Sequence, residues 1–531
     1  MPERDVRDLL LAKRLEPRRV AELLRPYGFQ DAQRADRELQ AMAEDPAVRV
    51  RLAAILPGVL EGLGASADPD GALRRLERFF RATGNASAML SHLAADPRMI
   101  HALTVAFGAS AFMAEILTRH PTWLFWLSEP DVLARARGGD EIRRDLAAAL
   151  APLRSEEKRL DALRIAKRRE ILHIGLRDLL RRATVEETVR ALSVLAETLI
   201  ETACEVAEDT LRKSLGLRRP WRAGGRRARS GFTVLGLGKL GGEELNFSSD
   251  VDLVYLYASD EGRVSGGGAA PARGDYFQAL ARRVTAVLGT VTGEGSVYRV
   301  DLRLRPEGRA GAVARSLVSM NEYYRSRGAT WERLALLKAR PVGGDRALGT
   351  RFLDRVAPFV YRRGFDAAAL EDIRRVKRQM DGKIAERSES HRHVKLGVGG
   401  IREIEFVCQV LQVRFGARRA RLRQRGTLAA LEALRESGLL AAAEHDTLRR
   451  AYLFLRDVEN KLQMASDTQV HALPEAPEEL RACALSLGYR DADGRSAEGA
   501  LVSDYRSHTG ATHRIFEDVL AGPRLLSQSG P

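Results

Sequence analysis

The stretch FTVLGLGKLGGEELNFSSDVDLVYLY, residues 232–257, is the part of the sequence that decides the fold. Its first six residues, Phe232 to Leu237, are mostly apolar or β-branched and predict a short buried strand. A second run of the same character, Val251 to Tyr257, predicts a second strand. Between them lie Gly238 and Gly241, which predict a turn whose backbone can closely approach an anion.

Two aspartates stand at the start of the second predicted strand. Asp250 and Asp252 are two residues apart, and on a strand such side chains project from the same face. Carboxylate oxygens together with substrate phosphates are the ligands that Mg²⁺ prefers. Two such cations can hold the attacking and the leaving oxygen of a phosphoryl transfer. The pair alone is a weak signal for metal-dependent phosphoryl chemistry, and a third carboxylate on a neighbouring strand would complete the cluster.

A third predicted strand, Val297 to Arg305, alternates between apolar and polar residues. Asp301 is the one acid on its polar face, which makes it the natural third carboxylate. Arg303 and Arg305 share that face, and guanidinium groups are suited to phosphate oxygens. The predicted catalytic carboxylates and metal ligands are thus Asp250, Asp252 and Asp301.

The glycines match two better-known nucleotide motifs only in part. Gly236, Gly238 and Gly241 have the spacing of a dinucleotide-binding fingerprint, but that motif opens a full crossover helix. The second predicted strand begins too soon after Gly241 to leave room for one. A P-loop is excluded as well, because Leu240 rather than Ser or Thr follows Lys239.

The remainder of the predicted sheet region contains a loop and a helix. Residues 262–274 are glycine-rich and predict a surface loop. Asp275 is placed to cap a helix that runs to about Leu288. Its apolar residues recur at helical spacing and predict one buried face: Phe277, Leu280, Ala281, Val284 and Leu288.

The flanking sequence is helical in character. Before the sheet region, Ala, Leu, Arg and Glu dominate and apolar positions recur every three or four residues. The helical pattern returns at about residue 346, and a basic linker with Pro and Gly occupies 218–227. Six prolines are expected to separate the first helices: Pro46, Pro57, Pro69, Pro97, Pro121 and Pro130. The fold class is mainly α with one α/β domain, divided as 1–220, 221–345 and 346–531.

The amino-acid composition limits which partners and which cellular compartment we expect. The formal net charge is +15, and 76 of the 86 basic residues are Arg. Because acids are interspersed with them throughout, solvated helix faces explain the charge better than nucleic-acid binding. The three cysteines form no metal or disulfide pattern, which favours a reducing compartment. No apolar segment is long enough to span a bilayer, so we expect a cytoplasmic protein.

At the motif level the sequence resembles the family of bifunctional glutamine synthetase adenylyltransferase/adenylyl-removing enzymes, members of the polymerase-beta-like nucleotidyltransferases. That family carries two related catalytic domains in one long chain, and one is found here. The matching segments are GLGKLGGEELNFSSDVDLVYLY (236–257), VYRVDLRLRPEGRAG (297–311), YYRSRGATWERLALLKARPVGGD (323–345), VKLGVGGIREIEFVCQVLQ (394–412) and AYLFLRDVENKLQ (451–463).

Two of these segments, ELNFSSDVD and VKLGVGGIREIEF, are similar to the N-terminal, adenylyl-removing half of that family. The resemblance implies that inorganic phosphate attacks the adenylyl-tyrosine of glutamine synthetase and releases ADP. It implies Mg²⁺ at the three aspartates and nucleotide phosphates near Gly238, Lys239 and Ser249. It also implies regulation by a PII signalling protein. The alternatives are ATP-dependent adenylylation of the same tyrosine, and a non-catalytic helical regulatory or nucleic-acid-binding protein.

Three charged residues outside the aspartate motif leave their role open. Lys338 and Arg340 are predicted on a helix, where they bind phosphate or are ordinary solvated charges. Glu405 follows Gly399 and Gly400 at a predicted helix start. An acid there suits the helix dipole, and the alternative is that Glu405 reaches the active site.

Overall fold

The structure is a computed structural model that describes residues 5–217, 231–264, 270–361, 371, 375, 391–466 and 468–521. The predicted linker at 218–227 lies outside the described residues, as does the C-terminal tail from 522 onward.

The chain before the sheet is helical, as predicted. Its described residues form twelve α-helices, with one 3₁₀ turn at Arg25–Tyr27. The helices are α1 Asp8–Leu11, α2 Pro17–Leu24, α3 Ala32–Met42, α4 Pro46–Gly64, α5 Pro69–Ala82, α6 Ala86–Ala95, α7 Pro97–Ala109, α8 Ala111–Arg119, α9 Trp123–Leu127, α10 Gly139–Leu150, α11 Glu156–Leu179 and α12 Val185–Ser214.

An Asp-Pro pair starts three of these helices. In each pair the aspartate side chain accepts hydrogen bonds from the first backbone N–H groups, and the proline occupies the first turn, where no N–H is needed. Pro57 departs from the prediction, because it lies inside α4 and separates no helices. The three pairs are Asp45-Pro46, Asp68-Pro69 and Asp96-Pro97.

A five-stranded mixed sheet follows. Strand order is β3-β2-β1-β5, with β4 also paired to β2. β1 is antiparallel to both β2 and β5, whereas β2 is parallel to β3 and to β4. The strands are β1 Phe232–Gly236, β2 Val251–Tyr257, β3 Val300–Asp301, β4 Ala314–Ser316 and β5 Arg340–Gly344.

The third predicted strand is shorter than its alternating sequence suggested. Only Val300–Asp301 pairs as β3, and a turn follows at Arg303 and Leu304. The predicted helix between β2 and β3 is α14, Arg273–Gly289. Asp275 lies in its first turn and does not cap it, so that part of the prediction was wrong.

Aromatic rings hold α14 against the sheet. Phe277 of α14 stacks on Phe232 of β1 and on Tyr257 of β2, with ring centroids 6.0 and 5.0 Å apart. Phe232 in turn stacks on Tyr255 at 5.7 Å. All four rings are buried, and such side chains supply much of a core's apolar area. The sheet region thus has its own core beneath the strands that carry the aspartates.

Most of the described chain after β1 is again helical. The chain forms α13 Gly238–Gly241, α15 Leu317–Ser326, α16 Thr330–Leu336, α17 Arg346–Val360, α18 Ile401–Phe415, α19 Thr427–Glu436, α20 Ala442–Ser466, α21 Pro477–Ser486 and α22 Ala497–Ala521. After β5, the described residues contain no further strand, which agrees with the helical prediction from 346 onward.

The chain divides into two compact units, and the three-part division at 1–220, 221–345 and 346–531 remains a prediction. One comprises Met1–Ala136, Arg168–Thr188 and Asp457–Tyr505. The other comprises Arg137–Lys167, Val189–Arg456 and Arg506–Pro531. The sheet and all the predicted site residues belong to this second unit. Across the described helices, none combines the length and the apolar character that a membrane span requires.

Candidate active site

Asp252 and Asp301 lie side by side at the β2–β3 edge of the sheet. The two strands are parallel there, and Asp252 is the register partner of Asp301. Asp250 immediately precedes β2. The alternating pattern therefore pointed to the correct neighbour of Asp252, even though most of the predicted strand does not form. Three aspartates come to one edge of a small sheet.

Gly238 lies directly against the central aspartate. Its φ of +53° is in the left-handed region, and a Cβ at this position would stand 2.6 Å from an Asp252 carboxylate oxygen. The preceding residue, Leu237, donates its backbone N–H to the Asp252 carbonyl at 2.9 Å. The four-residue helix Gly238–Gly241 joins antiparallel strands, which confirms that the glycines belong to no dinucleotide crossover. Gly238 is thus required both for backbone conformation and for space.

Replacing Gly238 by Ala is expected to displace the Asp252 carboxylate. We expect Mn²⁺ affinity, measured by isothermal titration, to fall by about tenfold, as with other changes that misalign a metal ligand. Stability is expected to fall by about 1–2 kcal/mol, because Ala resists the left-handed conformation. The matched control is Gly293→Ala, where the added Cβ meets no atom within 4 Å and φ is ordinary. Unchanged Mn²⁺ affinity in Gly238→Ala would contradict the contact.

The central carboxylate carries an electrostatic cost. Burial, reinforced by the charges of Asp301 and Asp250, raises the pKa of Asp252 to about 6. Burial also acts on Asp301, but hydrogen bonds and charge from Arg303 outweigh it and hold the pKa of Asp301 below its ordinary value. Asp252 is therefore the carboxylate that gains most from a nearby cation.

Arginines pair with the two flanking carboxylates. Arg299 donates from Nε to Asp250 at 2.6 Å, and Arg303 donates to both oxygens of Asp301. In the described part of the chain, no three His, Cys, Asp or Glu side chains are gathered into a ready set of metal ligands. The donor types nevertheless suit Mg²⁺, since all three are carboxylates. Nearby positive groups balance the negative charge of Asp252 less well than that of Asp301. Their role as metal ligands remains a prediction.

The other predicted phosphate contacts occupy different settings. Arg305 is buried and donates to the carbonyls of Leu302, Arg309 and Gly311, so it holds the turn after β3. Its role as a phosphate ligand has no geometric support. Ser249 accepts a hydrogen bond from the Asn246 backbone at 3.3 Å.

Lys239 is half-buried in the short helix Gly238–Gly241, close in sequence to the contact between Gly238 and Asp252. Its role and that of Ser249 near phosphates remain predictions.

A buried ion cluster supports the loop that leads to Asp250. Lys338 donates to Glu244 at 2.8 Å and to Glu405 at 2.7 Å, and all three side chains are under 9% exposed. Thr427 accepts from the same ammonium group at 3.1 Å, and its backbone N–H donates to Glu244. Burial alone would lower the pKa of Lys338, but the two carboxylates outweigh it and raise that pKa.

This cluster answers the questions left open for Lys338 and Glu405. Lys338 is neither a solvated charge nor placed toward phosphate, because two buried carboxylates surround its ammonium group. Glu405 accepts hydrogen bonds from Lys338 and Arg402. Its contacts are therefore more than a favourable interaction with the helix dipole. Arg340 lies on β5 and not on a helix, and it pairs with Glu197.

The sequence patterns did not predict two charged contacts of the aspartates, those of Arg299 and Lys395. Arg299 was visible on the polar face of the third strand, but its pairing with Asp250 was not. Lys395 stands before α18, and its positive charge favours the ionised form of Asp252. Its backbone carbonyl accepts from Arg402 at 2.9 Å, so this segment is tied to the start of α18. The one sequence signal for Lys395 was its position at the start of the glycine-rich segment KLGVGG.

Comparison with known proteins gives two family matches. A model described as glutamate-ammonia ligase adenylyltransferase matches residues 100–355, which include all three aspartates. A second model, described as GlnD PII-uridylyltransferase, matches residues 373–520. The first match supports a nucleotidyltransferase enzyme.

Individual relatives agree with the first family model. Enzymes named "bifunctional glutamine synthetase adenylyltransferase/adenylyl-removing enzyme" are 39% identical over 424 residues in Thioalkalivibrio sulfidiphilus and 36% identical over 428 residues in Nitrosococcus oceani. These matches cover 80% and 81% of the chain, but 42% and 43% of the relatives. A third, from Stenotrophomonas maltophilia, is 44% identical over 59% of the chain and 33% of the relative. The chain thus matches less than half of each relative's length.

Proposed function

We propose that the chain is a metal-dependent nucleotidyltransferase with a polymerase-beta-like catalytic domain that acts on glutamine synthetase. The observation that carries the proposal is the register pairing of Asp252 with Asp301, inside the region that matches the adenylyltransferase model. The names of the relatives support glutamine synthetase as the target.

In the proposed site, Asp250, Asp252 and Asp301 hold Mg²⁺. Mg²⁺ held there would supply positive charge to the transferred phosphoryl group and would help to orient the incoming oxygen. Gly238 keeps the Asp252 carboxylate in position, because any side chain there would press against it. Arg303 stands beside Asp301 and supplies positive charge near the phosphates.

The proposed direction is removal of the adenylyl group. An oxygen of inorganic phosphate attacks the phosphorus of adenylyl-tyrosine, the bond from that phosphorus to the tyrosine oxygen breaks, and the tyrosine leaves and takes up a proton. The products are ADP and unmodified tyrosine. Support comes from the segments ELNFSSDVD and VKLGVGGIREIEF, which resemble the adenylyl-removing half of the family. The relatives' names include both directions, so adenylylation from ATP is the second candidate.

Regulation by a PII signalling protein is part of the same proposal. Its support is the match of residues 373–520 to a PII-uridylyltransferase model. We also propose a cytoplasmic location. The three cysteines are free and buried, which suits a reducing compartment.

A direct assay separates the two directions. Adenylylated glutamine synthetase is incubated with the chain, Mg²⁺ and inorganic phosphate, and nucleotides are resolved by chromatography. We expect ADP to appear in step with loss of the adenylyl group, and no ADP when phosphate is omitted. A parallel reaction supplies unmodified glutamine synthetase and ATP.

Each remaining outcome of this assay rejects part of the proposal. Tyrosine modification from ATP without phosphorolysis would show that the direction is wrong while the enzyme class is right. Inactivity in both reactions, with no binding of Mg²⁺-nucleotide and with steeply salt-dependent binding to DNA or RNA, would favour the nucleic-acid-binding alternative.

A further inference from the structure

Arg299 is held beside Asp250 by two hydrogen bonds. Its Nε donates to Asp250 at 2.6 Å, and one terminal nitrogen donates to the Ser248 carbonyl at 2.7 Å. The arginine side chain is 53% exposed and that of Asp250 is 34% exposed. An ion pair this open to water is weak, so its arginine can be exchanged for another partner at little cost.

Arg303 grips the third carboxylate in the same way. Its Nε donates to the two Asp301 oxygens at 3.0 and 2.8 Å, and a terminal nitrogen also donates to one of them. The backbone N–H of Arg303 donates to Asp301 at 2.8 Å and would keep the segment in place if the guanidinium left. Its side chain is 64% exposed, whereas that of Asp301 is 14% exposed, so the arginine is the open member of this pair.

The central aspartate lacks such a partner. Within the described residues, no side chain donates a hydrogen bond to the carboxylate of Asp252, whereas arginines donate to the carboxylates of Asp250 and Asp301. Arginines thus donate to the two flanking carboxylates, whereas the positive charges near Asp252 act on it without a side-chain hydrogen bond from the described residues. A cation that binds Asp252 together with a flanking carboxylate therefore takes an oxygen that an arginine now holds.

Guanidinium and metal compete for the same lone pairs. A carboxylate oxygen that accepts hydrogen bonds from arginine donates less effectively to a cation. Arginine, unlike a fixed backbone donor, has a ready alternative, because its fork of N–H groups matches phosphate as well as carboxylate. A nucleotide or phosphate that arrives with the metal offers that alternative within reach of the same side chains.

We propose that Arg299 and Arg303 are exchange residues: they occupy the carboxylates of Asp250 and Asp301 in the free chain, yield them to the metal, and then bind the substrate's phosphate oxygens. This rests on the proposed function and adds two residues that couple metal binding to phosphate binding. It requires the two arginines to have opposite effects on the two ligands.

The test measures two affinities in Arg299→Gln and Arg303→Gln. Mn²⁺ binding to the nucleotide-free chain is measured by isothermal titration or electron paramagnetic resonance, and ADP binding is measured at saturating Mn²⁺. We expect each variant to bind Mn²⁺ about two- to fivefold more tightly, in keeping with loss of a weak exposed pair. We expect ADP to bind about tenfold more weakly, since a charge-assisted contact is lost.

Arg309→Gln is the matched control. Arg309 is an exposed arginine whose charge also acts on Asp301, but the described structure contains no hydrogen bond from its side chain to that carboxylate. Its removal changes the net charge equally without freeing an oxygen. We expect its Mn²⁺ affinity to stay within twofold of the unmodified chain.

The outcomes distinguish this inference from the proposed function. Equal tightening of Mn²⁺ binding in Arg309→Gln would mean that general charge explains the effect, and unchanged affinities in the other two variants would mean that no exchange occurs. Either result overturns the inference alone, provided that Asp252→Asn abolishes Mn²⁺ binding. If Asp252→Asn binds Mn²⁺ like the unmodified chain, or no variant binds it, the metal site itself is wrong and both proposals fall.

Discussion

Asp252→Asn is expected to lower the rate of the proposed adenylyl transfer by at least about a thousandfold, because it weakens the binding of a metal ion that would supply several kcal/mol of charge stabilisation. Asn keeps the shape of the side chain but removes its negative charge. Asp252 is the carboxylate to change, since it is the register partner of Asp301 and the charges of both other aspartates act on it. Rates are measured from ADP release, and Mn²⁺ affinity is measured alongside.

The same variant is expected to be at least as stable as the unmodified chain at neutral pH. The pKa of Asp252 is raised to about 6, so the folded chain binds this proton more tightly than the unfolded chain does. Stability of the unmodified chain therefore falls as pH rises from about 4 to about 6, and Asp252→Asn lacks this part of the fall. Urea denaturation across that range measures it.

The control for this variant is Asp275→Asn, which changes an exposed aspartate in the first turn of α14. It is expected to leave both the rate and the Mn²⁺ affinity near those of the unmodified chain. Activity that survives in Asp252→Asn would remove this residue from the catalytic site. A large loss of stability in the same variant would instead mean that its carboxylate holds the fold.

Lys338→Met is expected to destabilise the chain by about 3–5 kcal/mol, because it leaves Glu244 and Glu405 buried together without their shared cation. Met preserves most of the volume and removes only the charge and its hydrogen bonds. Glu244 belongs to the loop that leads into Asp250, so the proposed activity is expected to fall as well. The shift in the urea midpoint measures the stability loss.

Two further variants make this prediction specific. Arg435→Met removes an arginine from an exposed pair with Glu432 and is expected to have a far smaller effect. Replacing Lys338 by Met together with Glu244→Gln and Glu405→Gln removes the unpaired charges, and much of the lost stability is expected to return. If Lys338→Met costs no more than Arg435→Met, the buried cluster contributes little to the fold.

Much of the candidate site followed from local pattern. Side chains alternate along a strand with a period of two, so the spacing of Asp250 and Asp252 indicated a shared face. The same alternation singled out Asp301, and the structure pairs it with Asp252. The two strands of the opening stretch were predicted with their observed bounds to within a residue.

The extent of strand pairing was harder to predict than the type of secondary structure. The alternating sequence from Val297 to Arg305 suggested nine residues of strand, whereas two of them pair as β3. Arg303 and Arg305 looked equivalent on that strand, yet one grips Asp301 and the other holds the turn that follows. The difference arises because the chain leaves the sheet after Asp301. The alternation of the sequence does not show where strand pairing ends.

The sequence by itself determined which residue types meet at the sheet edge, because strand period, glycine conformation and apolar runs are properties of neighbouring residues. Only the tertiary structure decided what those residues do for one another. Lys338 stands 94 residues from Glu244 and 67 from Glu405, and their burial together depends on how distant helices and loops pack. Likewise, the contact between Gly238 and Asp252 requires the antiparallel pairing of β1 and β2. Electrostatic and steric contacts act through space, so residues far apart in sequence set the charge and position of the central aspartate.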